Sequence, residues 1–79
     1  MKLNEAIVNR IFYYITERDI TINKLATMSL LTQSTLNNIV NNHTKDIKLL
    51  TVLKICEGLD ISLTEFFNDD MFLNIDIDF

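Results

Sequence analysis

The segment from Ile22 to Ile39 restricts the fold of this chain more than any other part of the sequence. Its pattern predicts two short helices joined by a tight turn. Leu36 and Ile39 lie three residues apart and therefore share one helix face. Ala26 is small enough to let two helix axes cross closely, and Leu31 lies in the turn, where it fills the gap between the helices. Two closely packed helices are therefore expected here.

The rest of the composition supports a single small helical domain. The chain has 79 residues, no proline, one glycine and a hydrophobic fraction of 48%. A β-rich fold needs more turn-forming residues than this, whereas short helices with polar connections do not. One cysteine cannot form an internal disulfide, which fits a reducing, cytoplasmic compartment. The sequence has no apolar run of membrane-spanning length and no secretory signal pattern, so neither a membrane location nor export is expected.

Hydrophobic spacing and capping residues predict five helices, so the expected fold class is all-α. Thr21, Thr32 and Ser62 are suitable N-caps for the second, third and fifth helices. Glu65 follows Ser62 by three residues and completes a capping box. Asn4 is the expected N-cap of the first helix. The helices are expected at about residues 4–18, 22–28, 33–41 and 49–59, and in a short stretch after Ser62.

The C-terminal tail, residues 69–79, follows a different pattern. Hydrophobic and polar residues alternate there, and a period of two indicates a strand. A single strand is not stable alone, so it must pair with another strand, dock on a helix or stay without regular structure. Because the sequence shows no second strand, the simplest partner is the same segment of a second copy across a two-fold axis. Phe72 is also assigned to an interface rather than to the core. The expected homodimer interface consists of Leu73, Ile75, Ile77 and Phe79.

Charge is distributed unevenly along the chain. Residues 1–59 contain seven basic and five acidic side chains, a net charge of +2, whereas residues 60–79 contain six acidic and no basic ones, a net charge of −6. A body with a charge of +2 attracts DNA only weakly, because affinity for DNA depends on the number of phosphates that are neutralised. A dimer would double the phosphate contacts, and the acidic tail would have to point away from the duplex.

The predicted helix pair resembles the core motif of the Xre/Cro-type, lambda-repressor-like helix-turn-helix family. Leu25-Ala26 and Leu36-Asn37-Asn38-Ile39 carry this resemblance. Residues 55–67 resemble the end of the family's fourth helix and its fifth helix. The likeness covers roughly residues 7–68, so the helix-turn-helix domain is expected to span residues 1–68, with its motif at about residues 22–41.

This resemblance implies sequence-specific, usually dimeric, binding to double-stranded DNA, with the third helix in the major groove. The expected function is a cytoplasmic transcriptional regulator of bacterial, phage or plasmid type, a repressor at a two-fold operator. Uncharged polar side chains donate and accept the hydrogen bonds that base edges require, and the Gln33 amide can form a bidentate pair with adenine. The candidate base contacts are Gln33, Ser34, Asn37 and Asn38, and the candidate phosphate contacts are Thr21, Thr35, Asn42 and Lys45.

Leu30 departs from the family pattern, which commonly has glycine at this position of the turn. The position usually needs a positive φ, which costs a residue with a β-carbon roughly 1 kcal/mol or more. Either the turn is built differently here or the protein tolerates the strain. A further possibility is that Leu30 is an exposed apolar contact for a protein partner. Together with the acidic tail, this leaves a second function open: a protein-interaction module, such as an antirepressor or inhibitor, that has the fold but does not bind DNA.

Catalysis and metal binding are not expected. The sequence has no catalytic constellation and no glycine-rich loop that would hold a phosphate. One cysteine and one histidine cannot complete a zinc site, and Asp76 and Asp78 lack the further ligands of a calcium loop. No cofactor or small-molecule ligand is therefore expected. Cys56, on the apolar face of the fourth helix, is expected to be a buried structural thiol.

Overall fold

A computed structural model of the chain describes residues 1–77. In this part of the chain, the all-α fold class predicted from the sequence is confirmed, and the helices begin and end at or next to the predicted residues. The helices are α1 (Leu3–Arg18), α2 (Ile22–Met28), α3 (Gln33–Val40), α4 (Leu49–Leu59) and α5 (Leu63–Phe66), followed by a 3-10 turn at Asp70–Phe72.

Hydroxyl side chains begin three of these helices, as predicted. Thr21, Thr32 and Ser62 each accept a hydrogen bond from the backbone N–H three residues later, at 3.0 to 3.1 Å. Each bond satisfies an N–H group that the start of a helix leaves without a partner. The first helix differs, because it begins at Leu3 after Lys2, and the prediction of Asn4 as its N-cap is wrong. The Asn4 amide lies within the first turn and donates to a distant loop instead.

Buried side chains from all five helices form one core. Leu36 and Ile39 share the buried face of α3, and Leu31 packs against the core from the turn, as predicted. Cys56 of α4 is also fully buried. Burial raises the pKa of the Cys56 thiol to about 11, because a thiolate is poorly solvated in apolar surroundings. At neutral pH the thiol is therefore protonated, as a structural cysteine should be.

Gly58 allows α2 to approach α4 closely. A β-carbon at Gly58 would lie only 2.5 Å from Ser29 Oγ and 2.9 Å from the Ser29 backbone nitrogen, at the end of α2. Such contacts are too short for any larger residue without a shift of the backbone. The single glycine therefore fixes where the helix pair α2–α3 packs against the rest of the domain.

Leu30 has a positive φ of 55° in the turn between α2 and α3. The turn thus has the left-handed conformation that the family resemblance implied, with leucine rather than glycine at this position. Burial of the side chain does not compensate for this unfavourable backbone conformation, since Leu30 is 90% exposed. Leu30 therefore keeps about 1–2 kcal/mol of backbone strain in the folded state.

Arg10 joins α1 to the end of α5, and its side chain is only 6% exposed. Its Nε donates to the carbonyl oxygen of Phe66 at 2.7 Å and its Nη2 donates to that of Glu65 at 2.9 Å. Its Nη1 lies 3.4 Å from the carboxylate of Asp69. The bond to Phe66 satisfies a carbonyl group at the end of α5, and the Glu65 carbonyl accepts the Asn68 backbone N–H as well as Arg10. The sequence analysis did not identify this residue as part of the core.

As far as residue 77, the C-terminal tail does not form the predicted strand. It contains the 3-10 turn and one isolated parallel bridge between Asp76 and Lys2. The Asp76 N–H donates to the carbonyl oxygen of Met1 at 3.0 Å, and the Asp76 carboxylate lies 2.9 Å from the Met1 amino group. Pairing stops there because α1 begins at Leu3, and a helical backbone cannot join a strand ladder. Up to residue 77, the chain thus supplies a single bridge residue, Lys2, and not a second strand.

Phe72 also differs from the prediction, since it packs against the core rather than facing an interface. Its ring centroid lies 5.0 Å from that of Phe67 and 6.3 Å from that of Phe66. Leu73 and Ile77 are exposed by 73% and 71%, whereas Ile75 is half-buried. Phe79, the last residue of the predicted dimer interface, lies outside the described residues.

Candidate nucleic-acid interface

The polar residues of α3 lie on the side of the helix that faces away from the core. Gln33, Ser34 and Asn38 are exposed, whereas Leu36 and Ile39 are buried. The buried face holds the helix against α2 and the common core, so the polar side chains project from a packed scaffold. Their amide and hydroxyl groups carry both donors and acceptors without a formal charge. This face has the chemistry needed to read base edges in a major groove.

Asn37 lies at the edge of the polar face and is half-buried. Its Nδ2 donates to the carbonyl oxygen of Gln33 at 2.8 Å, one helical turn earlier. This bond holds the side chain along the helix surface. Compared with the exposed residues of the face, Asn37 therefore has less freedom to turn towards a base.

The threonine candidates are exposed at the starts of α2 and α3. Thr21 Oγ1 accepts the N–H of Lys24 at 3.0 Å. In α3, the Thr32 hydroxyl donates to the Thr35 hydroxyl at 2.7 Å. A hydroxyl group that accepts one hydrogen bond still has its own hydrogen to donate. Thr21 and Thr35 can therefore each donate to a phosphate oxygen.

The loop between α3 and α4 holds the remaining phosphate candidates, Asn42 and Lys45. Asn42 is exposed and has a positive φ of 59°, a left-handed conformation that ends α3. The backbone N–H of His43 then donates to the carbonyl oxygen of Asn38 at 2.8 Å. The chain therefore leaves α3 in a defined direction. The Lys45 side chain is exposed further along the loop.

Asn4 contacts this loop from α1, and the sequence analysis missed this contact. Its Nδ2 donates to the carbonyl oxygen of Lys45 at 2.8 Å and to that of Thr44 at 3.3 Å. Sequence position suggested only a cap for α1, because an asparagine near the start of a helix is a common N-cap. The partners lie about 40 residues away in the chain, and no local pattern relates the two segments.

Exposed lysines flank α3 on two elements. Lys24 lies in the first turn of α2, and Lys45 and Lys48 lie in the loop that follows α3. These three ammonium groups supply positive charge around an otherwise uncharged helix face. Contacts of this kind between lysine and phosphate position a protein on DNA but do not read its sequence.

A separate apolar patch consists of Leu30, Leu50 and Leu53. All three side chains are exposed, and they line an open depression of about 320 Å³ between the α2–α3 turn and α4. Lys54 and Glu57 also border this depression. Leu30 is the most exposed residue of the patch, so its side chain is available to a protein partner.

Residues 1–77 contain no cluster of histidine, cysteine, aspartate or glutamate residues that could hold a metal ion. In the same part of the chain, every helix is too short or too polar to span a bilayer.

Comparison with known proteins identifies relatives of the fold. The family model described as helix-turn-helix matches residues 11–66 of the chain. A solved structure titled as the prophage Lp1 protein 11 is similar, with 32% sequence identity and a TM-score of 0.81. The match covers 95% of this chain and 100% of the prophage protein. No curated protein is significantly similar in sequence.

Proposed function

Because the chain belongs to the helix-turn-helix family, whose members bind DNA as regulators, we propose that it is a sequence-specific transcriptional repressor. It acts by occupancy: a dimer bound at a two-fold operator blocks access of the polymerase. One observation carries the proposal, namely the exposed, uncharged polar face of α3 above a buried apolar face. The similar structure is a prophage protein, which supports a bacterial, phage or plasmid origin and a cytoplasmic location.

In the proposed complex, α3 enters the major groove with its N-terminal residues against the bases. Gln33 and Ser34 are in the first turn of α3, and Asn38 follows on the same exposed face. The Gln33 amide pairs with adenine through one donor and one acceptor, and the other side chains contact neighbouring base edges. Asn37 contributes at the edge of this surface, because its amide is already held by the helix backbone.

The phosphate backbone is held on both sides of α3. The hydroxyl groups of Thr21 and Thr35 donate to phosphate oxygens, and Asn42 and Lys45 contact the backbone from the following loop. All four residues are exposed. Lys45 contributes the charge of this group, so its loss should weaken binding to every sequence and flatten the salt dependence.

A dimer completes the proposal. The helical body, residues 1–59, has a net charge of only +2, so one copy supplies few phosphate contacts. Leu73 and Ile77 are exposed apolar side chains next to the half-buried Ile75. We assign the contact between copies to these residues together with Phe79. Two copies related by a two-fold axis would present two α3 helices to half-sites about one turn of DNA apart.

Selection from a random duplex library, followed by sequencing, tests this function. The wild-type chain should enrich a two-fold motif at low salt. A variant with Gln33, Ser34 and Asn38 replaced by alanine should keep its fold, because these side chains are exposed, and should lose the motif. A matched control is Asn9→Ala, at an exposed asparagine of α1. Failure of the wild-type chain to enrich any motif would contradict the proposal.

A second candidate is the protein-interaction module. The observation that favours it is Leu30, an apolar side chain exposed by 90% in a strained turn. A strained and exposed leucine contributes little to folding, and a role in contact with a protein would explain its presence. If no duplex is enriched while Leu30→Ala abolishes association with a second regulator, the antirepressor or inhibitor function is the correct one.

A further inference from the structure

The α3–α4 loop depends on a side chain of α1 for its conformation. Asn4 lies in the first turn of α1 and is half-buried. Its single Nδ2 group donates to two successive carbonyl oxygens, at 3.3 Å for Thr44 and at 2.8 Å for Lys45. An amide has two N–H hydrogens on one nitrogen, so asparagine can satisfy both acceptors at once.

The ends of this loop are held by other means. At its start, Asn42 has a left-handed conformation and the His43 N–H closes the end of α3. Towards its end, Ile47 packs against the core. Between these points, the Asn4 amide donates to two consecutive carbonyl groups of the loop backbone. The middle of the loop would therefore gain conformational freedom if that amide were lost.

The orientation of the loop backbone sets the position of Lys45. Because the Lys45 carbonyl points to the Asn4 amide, the rotation of that peptide unit is fixed, while the side chain remains exposed. A loop that becomes ordered only on binding loses conformational entropy, and this loss weakens the affinity. A loop that is ordered before binding avoids this loss. The anchoring of the loop thus favours any ligand that Lys45 contacts.

We propose that Asn4 is a positioning residue for DNA binding, which holds the middle of the α3–α4 loop in the conformation that places Lys45 against the phosphate backbone. This inference rests on the proposed DNA-binding function. It predicts that Asn4 acts on affinity for all duplexes and leaves the base preference of α3 unchanged, because phosphate contacts carry no direct sequence information.

The test uses the full chain with Asn4→Ala, and with Asn9→Ala on the same helix as the matched control. The Asn9 amide donates to Met1 Sδ, at 3.7 Å. Fluorescence anisotropy on a selected duplex and on an unrelated duplex should show about threefold to tenfold weaker binding of Asn4→Ala to both. The ratio of the two affinities should stay at the wild-type value, and Asn9→Ala should bind as the wild type does.

A double-mutant cycle with Lys45→Ala separates positioning from a general structural effect. If Asn4 acts through the loop, Asn4→Ala should weaken binding less in the Lys45→Ala background than in the wild type. Hydrogen exchange of the loop amides should also become faster in Asn4→Ala, while the core stays protected. Additive effects in the cycle, or wild-type affinity of a folded Asn4→Ala, would overturn the inference.

Two further outcomes separate this inference from the proposed function. If the wild-type chain selects a duplex and Gln33→Ala changes its preference, but Asn4→Ala has no effect, only the inference fails. If the wild-type chain selects no duplex, both fail. Should Asn4→Ala not fold, Asn4→Ser replaces it, since the short hydroxyl side chain cannot donate to both carbonyls. If neither variant folds, Asn4 has a structural role and the inference is overturned.

Discussion

The Nε–H group of Arg10 donates to the carbonyl oxygen of Phe66 across 2.7 Å, between residues 56 positions apart in the chain. The guanidinium is also 4.9 Å from the ring centroid of Tyr14, on the same helix. Arg10 therefore acts as a C-terminal cap of the short helix α5, because its side chain donates a hydrogen bond to a carbonyl group at the end of that helix. Through this bond, α1 keeps α5 and the beginning of the tail on the core.

Replacing Arg10 by methionine should destabilise the domain by about 1–3 kcal/mol, because methionine fills a similar volume but removes the Arg10 donor from the buried Phe66 carbonyl oxygen. The chain offers Arg18→Met as a control. Arg18 also donates to a helix-terminal carbonyl, that of Leu59, but it is exposed and should cost less than about 1 kcal/mol. Urea denaturation followed by circular dichroism measures both values. Equal losses for the two variants would contradict the role assigned to Arg10.

Replacing Leu30 by glycine should stabilise the domain by about 1 kcal/mol, since glycine adopts a positive φ without strain. Leu30→Ala keeps the β-carbon and should give no such gain, so the pair separates backbone relief from loss of the apolar side chain. The thermal midpoints of both variants provide the measurement. If Leu30→Gly were less stable than Leu30→Ala, the strain attributed to this turn would be absent.

The stability of the domain should decrease above about pH 9. Burial raises the pKa of the Cys56 thiol from 9.0 to about 11, so the folded state keeps a proton that the unfolded chain has already lost in this interval. The stability of the domain therefore falls as the pH rises from 9.0 to about 11. The stabilising contribution of the protonated Cys56 thiol is fully present below this range. Urea midpoints from pH 8 to pH 11 should fall less steeply for Cys56→Ala than for the wild type. If the midpoints of the wild type and of Cys56→Ala fell equally steeply with pH, the Cys56 thiol would not be the cause of the loss of stability.

The C-terminal tail should determine whether the protein is a dimer or a monomer in solution. Truncation after Leu73 removes Ile75 and Ile77 but keeps Phe72, whose ring packs in the core. Light scattering should then show a shift from twice 9.2 kDa towards the mass of a single copy. Ile77→Asp should have the same effect without loss of the Lys2–Asp76 bridge. An unchanged mass in both variants would remove the proposed interface.

The features that the sequence predicted are local ones. The starts of α2, α3 and α5 follow from Thr21, Thr32 and Ser62, whose hydroxyls act within three residues of their own positions. The polar face of α3 follows from helical periodicity, because spacing alone separates it from the buried Leu36 and Ile39. The positive φ at Leu30 was implied only by the family resemblance, which left open a turn of another build.

The features that could not be predicted depend on distant parts of the chain. From its position in the sequence, Arg10 would be assigned to the surface of α1, because no local pattern shows that α5 packs over it. Asn4 would be assigned as an N-cap, because no local pattern shows that the α3–α4 loop lies beside it. The tail has alternating residues typical of a strand, but its bridge partner is Lys2, next to a helix. A period of two indicates an extended backbone, and it contains no information about which segment will pair with it.

The central claim is that α3 reads a base sequence, and Gln33→Ala tests it most directly. Wild-type and variant chains are each used to select duplexes from one random library, and the preferences are compared base pair by base pair. We expect the variant to lose about 1–3 kcal/mol of discrimination at one position of each half-site and to keep the others. An identical motif with identical preferences at every position would show that the exposed face of α3 does not read DNA in this way.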